Sequence, residues 1–450
     1  MNNRNFLFRS LLLYFLLQSV PLDPRYYATL FSLPWHQLRY QDFFTLAHYT
    51  PRFFGAQPSF ADWAVVLALS LIGAAIWTTI DRARASNRTR ASNRTRPSDT
   101  ARWYYWVRTF ARYRLAIGLL AYGFIKLFPL QAPYPSLSNL NTPYGDFTRW
   151  KLFSLSLGVV PSYESFLGGV EIGAALLLLY RKTASIGALI VVFFTGNVLM
   201  SNLAYEGGEY VYSAYLITLA LFILAYDAGR LTDLIVFQRA ATPNTFRLAL
   251  PHTWQRHGRI AVKTLVVLFF VVLLGLRTRD GYLRDPYQLP ETPGLAKANG
   301  LYNVTLFRLN KDTLPYSPTD SLRWKNVVFE PWATLSIAGN RAADIDSTNT
   351  GQVEAATDAA KTYESEGSNG RRYYDYDIDT TAHALVLRNK NGKDTADTWK
   401  FRYDRPGDTR IILTGTNPRN DSIYVVLDRI DKKYLLEEAA KTGRTKNLKL

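Results

Sequence analysis

Residues 166–183 read Phe166-Leu-Gly-Gly-Val-Glu-Ile-Gly-Ala-Ala-Leu-Leu-Leu-Leu-Tyr180-Arg181-Lys182-Thr183. The apolar part holds one charge, Glu171, and a basic pair closes it. A run of roughly 17–25 apolar residues crosses a bilayer as a helix, because lipid offers backbone N–H and C=O no other partner. Six further stretches carry the same pattern, at 6–20, 63–80, 114–128, 185–200, 212–226 and 260–276. No stretch long enough to span follows. The chain therefore reads as a membrane protein, all-α in its membrane part, with about seven transmembrane helices and a soluble C-terminal domain. The first stretch follows Arg4 and Arg9 like a secretion signal, yet Gln18-Ser19-Val20-Pro21 offers no small-residue cleavage site.

The net charge of +17 could point to nucleic acid, but the basic residues sort by side instead. Arg82, Arg84, Arg88, Arg90, Arg94, Arg96, Arg102, Arg108, Arg112 and Arg114 crowd the connection between the second and third stretches. Arg181 and Lys182 follow the fourth, and Arg230, Arg239, Arg247, Arg256 and Arg259 precede the seventh. The opposite connections hold few. Positive loops stay cytoplasmic, which places the N-terminus inside and the tail outside. The expectation is a bacterial inner membrane, with a periplasmic C-terminal domain and the lipid bilayer as the first partner. Nucleic acid is not expected. The tandem hexapeptide at 85–96, Ala-Ser-Asn-Arg-Thr-Arg twice, reads as a repelling, disordered spacer able to touch anionic headgroups.

Cysteine is absent, which removes disulfides, thiolate nucleophiles and iron–sulfur ligation. His36, His48, His252, His257 and His383 all fall outside the seven stretches, so a haem held between membrane helices has no axial ligand there. Neither haem nor an iron–sulfur cluster is expected.

Four regions follow. Residues 1–110 hold the N-terminal spans, an aromatic outer segment at 21–62 and the basic loop. That segment reads as an interfacial anchor, or more sharply as a lid. Residues 111–230 form a four-helix membrane core, whose outer loop at 129–165 carries a short apolar stretch at 150–160, interfacial or re-entrant. Residues 231–284 give an inner loop and the last span.

Residues 285–450 form the exported domain. Its short β segments lie at 302–307, 324–329, 334–337, 373–378, 384–388, 399–403, 410–413 and 422–427. With Asn391-Gly392 and Pro406-Gly407 turns, they point to an antiparallel sandwich or barrel. The expected form is β-rich and sandwich-like. Residues 339–370 read as a mobile insertion or surface helix, and 431–450 as a short basic helix with a frayed end.

Ionisable groups inside apolar spans are the first candidates for chemistry, because burying them in lipid is costly. Lys126 lies near the end of the third span, in Tyr122-Gly-Phe-Ile-Lys-Leu, and Glu171 lies one turn into the fourth. Consecutive antiparallel spans put them at similar depth, where a pair could order a quinone carbonyl or pass a proton. The plainer account has Lys126 snorkelling and Glu171 bonding a neighbouring helix. Asn197 and Asn202 are ligand candidates whose ordinary role is interhelical packing, and their spacing need not put them on one face. Asp375, Asp377 and Asp379 alternate along one strand face. Thr380 stands where a calcium loop needs glycine, so a metal is not expected. Phosphate-loop, nucleophile-elbow and dinucleotide motifs are absent.

Residues 112–230 resemble the DoxX-like family of small four-helix membrane proteins. The likeness rests on Arg114 opening a span, Gly123 and Lys126, Gly-Gly-Val-Glu171, the Asn197/Asn202 stretch and Asp227-Ala-Gly-Arg230. The layout with an exported β-rich tail, including Ser321-Leu-Arg-Trp324-Lys, is similar to larger DoxX-like proteins of Bacteroidetes. Namesakes of the family are associated with thiosulfate:quinone oxidoreductases. The resemblance implies a quinone- or redox-linked membrane subunit with a redox partner. The competing expectation is a non-catalytic scaffold whose tail recruits an envelope protein. A transporter ranks behind both, since paired broken spans are missing.

Overall fold

The computed structural model describes residues 3–55, 57–86, 99–242, 252–340, 345, 353, 357–391 and 397–442. In chain order the helices are α1 (Asn3–Ser19), α2 (Pro24–Ser32), α3 (Tyr40–Ala47), α4 (Phe60–Ser86), α5 (Asp99–Leu127), α6 (Leu137–Leu140) and α7 (Arg149–Gly158). Then follow α8 (Pro161–Leu179), α9 (Ala184–Ala204), α10 (Tyr210–Ala225), α11 (Ala228–Leu231), α12 (Thr253–Val267), α13 (Leu274–Arg284) and α14 (Leu435–Thr442). The chain divides into a helical unit, Met1–Phe128 with Ser165–Gly281, and a second unit, Pro129–Glu164 with Tyr282–Leu450. Most of the hexapeptide repeat and residues 443–450 lie outside the described residues.

All seven apolar stretches lie in helices, but fewer than seven are long and apolar enough to cross a membrane. Among the described residues five helical segments qualify: Asn5–Ser32, Phe60–Ala83, Pro161–Leu179, Ala184–Ala204 and Thr253–Arg284. Tyr210–Ala225 with Ala228–Val236 makes a sixth if that pair, bent by 78°, counts as one span. The stretch at 114–128 drops out for a physical reason. It ends the 29-residue α5, and Arg108, Arg112, Arg114 and Lys126 leave no long window of that helix free of charge.

Helix α5 instead forms the spine of the unit. Val107, Ala111, Leu115, Leu119 and Leu120 bury into a core with Ala174, Leu178, Val191, Leu216, Leu219 and Ile223. Side-chain contacts fix the polarity of the four core helices. Arg108 of α5 and Ser185 of α9 both reach Asp227, just beyond α10, while Lys126 reaches Glu171 midway along α8. The unit thus has two chemically distinct ends. Its outward faces carry exposed Ile72, Ile76, Phe193, Met200, Leu221 and Leu265, so these helices are apolar all round.

The aromatic segment splits in two. Helix α2 buries no residue, whereas α3 buries Tyr40, Gln41, Phe43, Phe44, Leu46 and Ala47. A Cβ on Gly281 would overlap the Tyr40 ring, so α13 packs hard against this helix. Helix α3 is a packed cover, and only α2 keeps the exposed character of an interfacial anchor.

In the second unit the strands are β1 (Gly300–Leu309), β2 (Asp312–Thr313), β3 (Asn326–Phe329), β4 (Thr334–Ala338), β5 (Arg371–Asp379), β6 (Ala384–Asn389), β7 (Thr398–Asp404), β8 (Arg410–Thr416) and β9 (Ser422–Ile430). Each of the eight sequence-predicted segments falls on one of them; β2, a two-residue return of β1, is additional. Every pairing is antiparallel, and β1 bonds both β3 and β9, from Leu301↔Ile430 to Leu309↔Ile423. The expected sandwich is therefore a closed eight-stranded barrel in which neither terminal strand is left as an edge.

An irregularity in the β1–β9 register at Thr305 moves the inward positions from Tyr302 and Val304 to Phe307. The interior is packed with Phe329, Leu335, Tyr374, Tyr376, Leu385, Leu387, Phe401, Leu413, Val425 and Leu427. Asp375, Asp377 and Asp379 alternate outward, and Arg388 bridges the first two across the ladder.

Two loops are packed rather than free. The stretch at 150–160 lies largely in α7, which with α6 is built into the barrel unit. Ser138 N donates to Glu330 at 2.7 Å, Asn139 Nδ2 to the Glu364 carbonyl at 2.9 Å and Thr148 N to Gly367 O at 2.8 Å. Lys151 is fully buried, with Nζ on the Tyr363 carbonyl. The described end of the supposed mobile insertion is buried too, at Lys361, Tyr363, Glu364, Ser365 and Ser368. Burial, then neighbouring Glu330, pushes the Glu364 carboxyl up to about 8. Burial brings the Lys151 ammonium down to about 7.

Asp358 clasps this segment to residues 291–292, accepting from Thr292 N at 2.7 Å, Thr292 Oγ1 at 2.6 Å and Glu291 N at 2.9 Å. Burial alone would raise its carboxyl, but these donors win and hold it down at about 2. A depressed carboxyl stabilises above its ordinary value of 3.8, and that stability is lost as pH falls through about 2. After discounting for solvent screening, Asp358→Asn should cost about 1 kcal/mol at neutral pH. Denaturation of the two proteins at neutral pH and near pH 2 should show that gap closing in acid.

Candidate functional site: a charged and aromatic cluster in the helical unit

Two glycines set the geometry. A Cβ on Gly168 would overlap the Leu127 backbone nitrogen and lie 2.5 Å from the Gly123 carbonyl oxygen. Helices α5 and α8 therefore cross with their backbones touching, which only glycine permits. Lys126 and Glu171 stand three residues beyond Gly123 and Gly168, one helical turn from the crossing. Lys126 Nζ meets Glu171 Oε1 at 2.5 Å, with side chains 12% and 5% exposed. Among the described residues, Glu171 Oε2 is buried with no hydrogen-bond partner. The pair anticipated from the sequence is thus formed, and it leaves one acceptor unused.

Tyr122, one turn before Lys126, turns its ring to the ammonium at 5.5 Å. That ring also packs on Phe44 at 5.0 Å, His48 at 5.7 Å and Tyr212 at 5.4 Å. His48, which caps α3, faces Glu209 with Nε2 to Oε2 at 3.3 Å and lies 4.1 Å from the Tyr212 ring. Burial alone would raise the Glu209 carboxyl. His48, the Tyr122 hydroxyl and Lys126 overcome it and hold the group below its ordinary value. Glu209 N donates to Asn202 Oδ1 at 3.2 Å, which fixes the start of α10. Behind the cluster Arg114 donates to the Ala47 carbonyl at 3.0 Å and lies over Tyr49 at 4.8 Å.

Of the five sequence candidates, Tyr122, Lys126, Glu171 and Asn202 come together at one end of the unit. Asn197 does not: it is exposed, five residues from buried Asn202 and on another face of α9. His48, Glu209 and Tyr212 were missed. His48 and Glu209 sit in connections, where charge reads as solvated. The available signal was Asn202 followed by Glu206-Gly-Gly-Glu209 at the mouth of a span.

An open apolar groove of about 650 Å³ runs along α8 and α9 from Val170, the neighbour of Glu171, past Gly173, Ala174 and Leu177 to Ile190. Chemically, the cluster offers an ammonium as donor, carboxylates as acceptors, and phenols and an imidazole that can donate or accept. Gly168→Ala should push α5 and α8 apart at a cost of about 2 kcal/mol. Its melting temperature, compared with Gly169→Ala, where a Cβ meets nothing, checks this.

Fold and site define a helical unit with apolar outer faces and a buried ion pair, joined in one chain to a closed β-barrel unit. Comparison with protein-family models, curated proteins and solved structures found no match.

Proposed function

We propose that the helical unit is a multi-pass inner-membrane domain of the DoxX-like type, and that its charged and aromatic cluster binds the head group of a quinone-like redox ligand. The observation that carries this reading is the 2.5 Å Lys126–Glu171 pair with its unused Glu171 oxygen, set beside Tyr122, His48 and Glu209. A quinone head needs donors to its carbonyl oxygens and groups that exchange protons when those oxygens are reduced. Lys126 fits the first need; Glu171, His48 and Glu209 fit the second. The apolar groove beginning at Val170 suits an isoprenoid tail. Electrons come from a redox partner, since cysteine is absent and the chain carries no thiol relay.

The membrane assignment rests on the apolar helices and their exposed outer faces. The arginine distribution supports a cytoplasmic N-terminus and a periplasmic barrel. A second reading, a scaffold whose barrel recruits an envelope partner, draws on the barrel's packed interior, which leaves its outer surface for recognition.

The test is a titration of the detergent-purified chain with a short-tailed ubiquinone analogue, followed by quenching of intrinsic fluorescence. Saturable quenching, lost in Lys126→Met and kept in Asn197→Ala, is the expected result. Quenching that stays unsaturated, or is equal in all three proteins, would remove the quinone reading and leave the scaffold.

A further inference from the structure

Helix α10 leaves the core at Asp227, and the chain then turns sharply. The segment Ala228–Val236, made of α11 and a single π-helical turn at Thr232–Val236, is bent 78° from α10. Asp227 pins the corner. It takes Arg108 of α5 at 3.0 Å, Arg230 at 2.9 Å and the Ser185 hydroxyl of α9 at 2.6 Å. The corner is a joint tied to two other core helices, so the segment beyond it has a set direction.

Leu234, Ile235, Val236 and Phe237 are apolar and consecutive, and each is more than half exposed. Successive helical positions point roughly 100° apart, so four of them face all the way round the turn. A flat protein surface covers one side of such a turn, whereas an apolar solvent covers every side. The turn also closes its own backbone. Phe237 N donates to Thr232 O at 3.1 Å, Arg239 N to Asp233 O at 2.8 Å, and the Thr232 hydroxyl to Ala228 O at 2.9 Å. A medium poor in water requires that closure. The Arg239 guanidinium lies 5.2 Å from the centre of the Phe237 ring, which sets a cation at the end of the apolar row.

Direction decides the depth. The ion pairs of Asp227 mark where α10 reaches a polar boundary. A straight continuation would carry Ile235 about 12 Å beyond it, into water. The near-right-angle bend keeps the apolar row at the boundary instead. We propose that residues 228–237 are a foot lying in the plane of the inner leaflet, with Leu234–Phe237 sunk between phospholipid headgroups and the first part of their acyl chains. The proposal rests on the membrane reading of the helical unit and replaces the inner-loop expectation for this segment.

The chain has no cysteine, so one introduced thiol carries one label. Ile235→Cys, Phe237→Cys and Phe193→Cys are labelled with an environment-sensitive nitrobenzoxadiazole and placed in phosphatidylcholine–phosphatidylglycerol vesicles. Phe193, exposed midway along α9, is the span control. None of the three side chains belongs to the helical core, and each variant is first checked for parent-like melting in detergent. Depth is read with lipids that carry a nitroxide quencher either near the headgroup or near the chain terminus. Labels at 235 and 237 should be quenched about twofold more by the shallow lipid, and the label at 193 more by the deep one. The proposal is overturned if the labels at 235 and 237 report water. It is equally overturned if the deep lipid quenches them more, as a broken span requires, or if they are shielded yet unquenched, as a protein partner or second copy would leave them. Failure of the membrane reading is seen separately, as a label at 193 that neither lipid quenches.

Discussion

Glu171→Leu is expected to lower the stability of the helical unit by about 3 kcal/mol, and adding Lys126→Met to recover most of that loss. The single change leaves the Lys126 ammonium 12% exposed, with its carboxylate gone and the Tyr122 ring 5.5 Å away. An uncompensated buried charge typically costs about 3–5 kcal/mol. The lower figure applies because Lys126 is in the last turn of α5 and can extend its stem toward the helix end. The double variant removes both charges, and apolar replacements of similar size restore the packing. Thermal unfolding of the four proteins in detergent gives the coupling energy directly. Penalties that simply add would mean that the two groups are not interacting.

Arg371→Met should be nearly as severe, about 3 kcal/mol, in the barrel unit. Arg371 is 1% exposed and donates from Nε to Ser336 Oγ at 2.8 Å, from Nη1 to Asn326 Oδ1 at 2.7 Å and from Nη2 to Ser336 O at 3.0 Å. Two effects compete. Removing a buried guanidinium relieves its desolvation, and burial has already brought its pKa down to about 10. Against that, three acceptors on two strands lose a charged donor, each worth about 1.5–3 kcal/mol though not additively. The acceptor loss wins because the two Ser336 oxygens are buried beside Ser138, whose hydroxyl also meets Ser336 at 2.7 Å. Near-UV circular dichroism during chemical denaturation should show the shift, and Arg371→Lys should recover only part of it.

Much of this architecture was legible in the residues. Apolar runs marked every long helix, and alternation marked eight strands, because both signals are local. The span count was less secure, since the arginines of α5 dilute a stretch that looks apolar from Leu115 onward. Barrel closure was hidden because β1 and β9 are more than a hundred residues apart and no local feature announces their pairing. The segment at 129–165 was read as an outer loop with a short interfacial or re-entrant stretch, and nothing local announces that Lys151 and Ser138 find buried partners in the barrel unit.

The site followed the same division. Lys126 and Glu171 stood out because charge is rare in apolar helices. His48 and Glu209 did not, because charge is ordinary in loops; only packing shows that α3 carries His48 onto Tyr212.

The most direct test of the central claim is mass spectrometry of the small molecules that accompany the intact chain through purification in mild detergent. The account predicts a near-stoichiometric quinone-like molecule, lost in Lys126→Met and in Glu171→Gln while both variants remain folded. A folded parent carrying nothing beyond bulk phospholipid would contradict it, and attention would move to partners of the barrel.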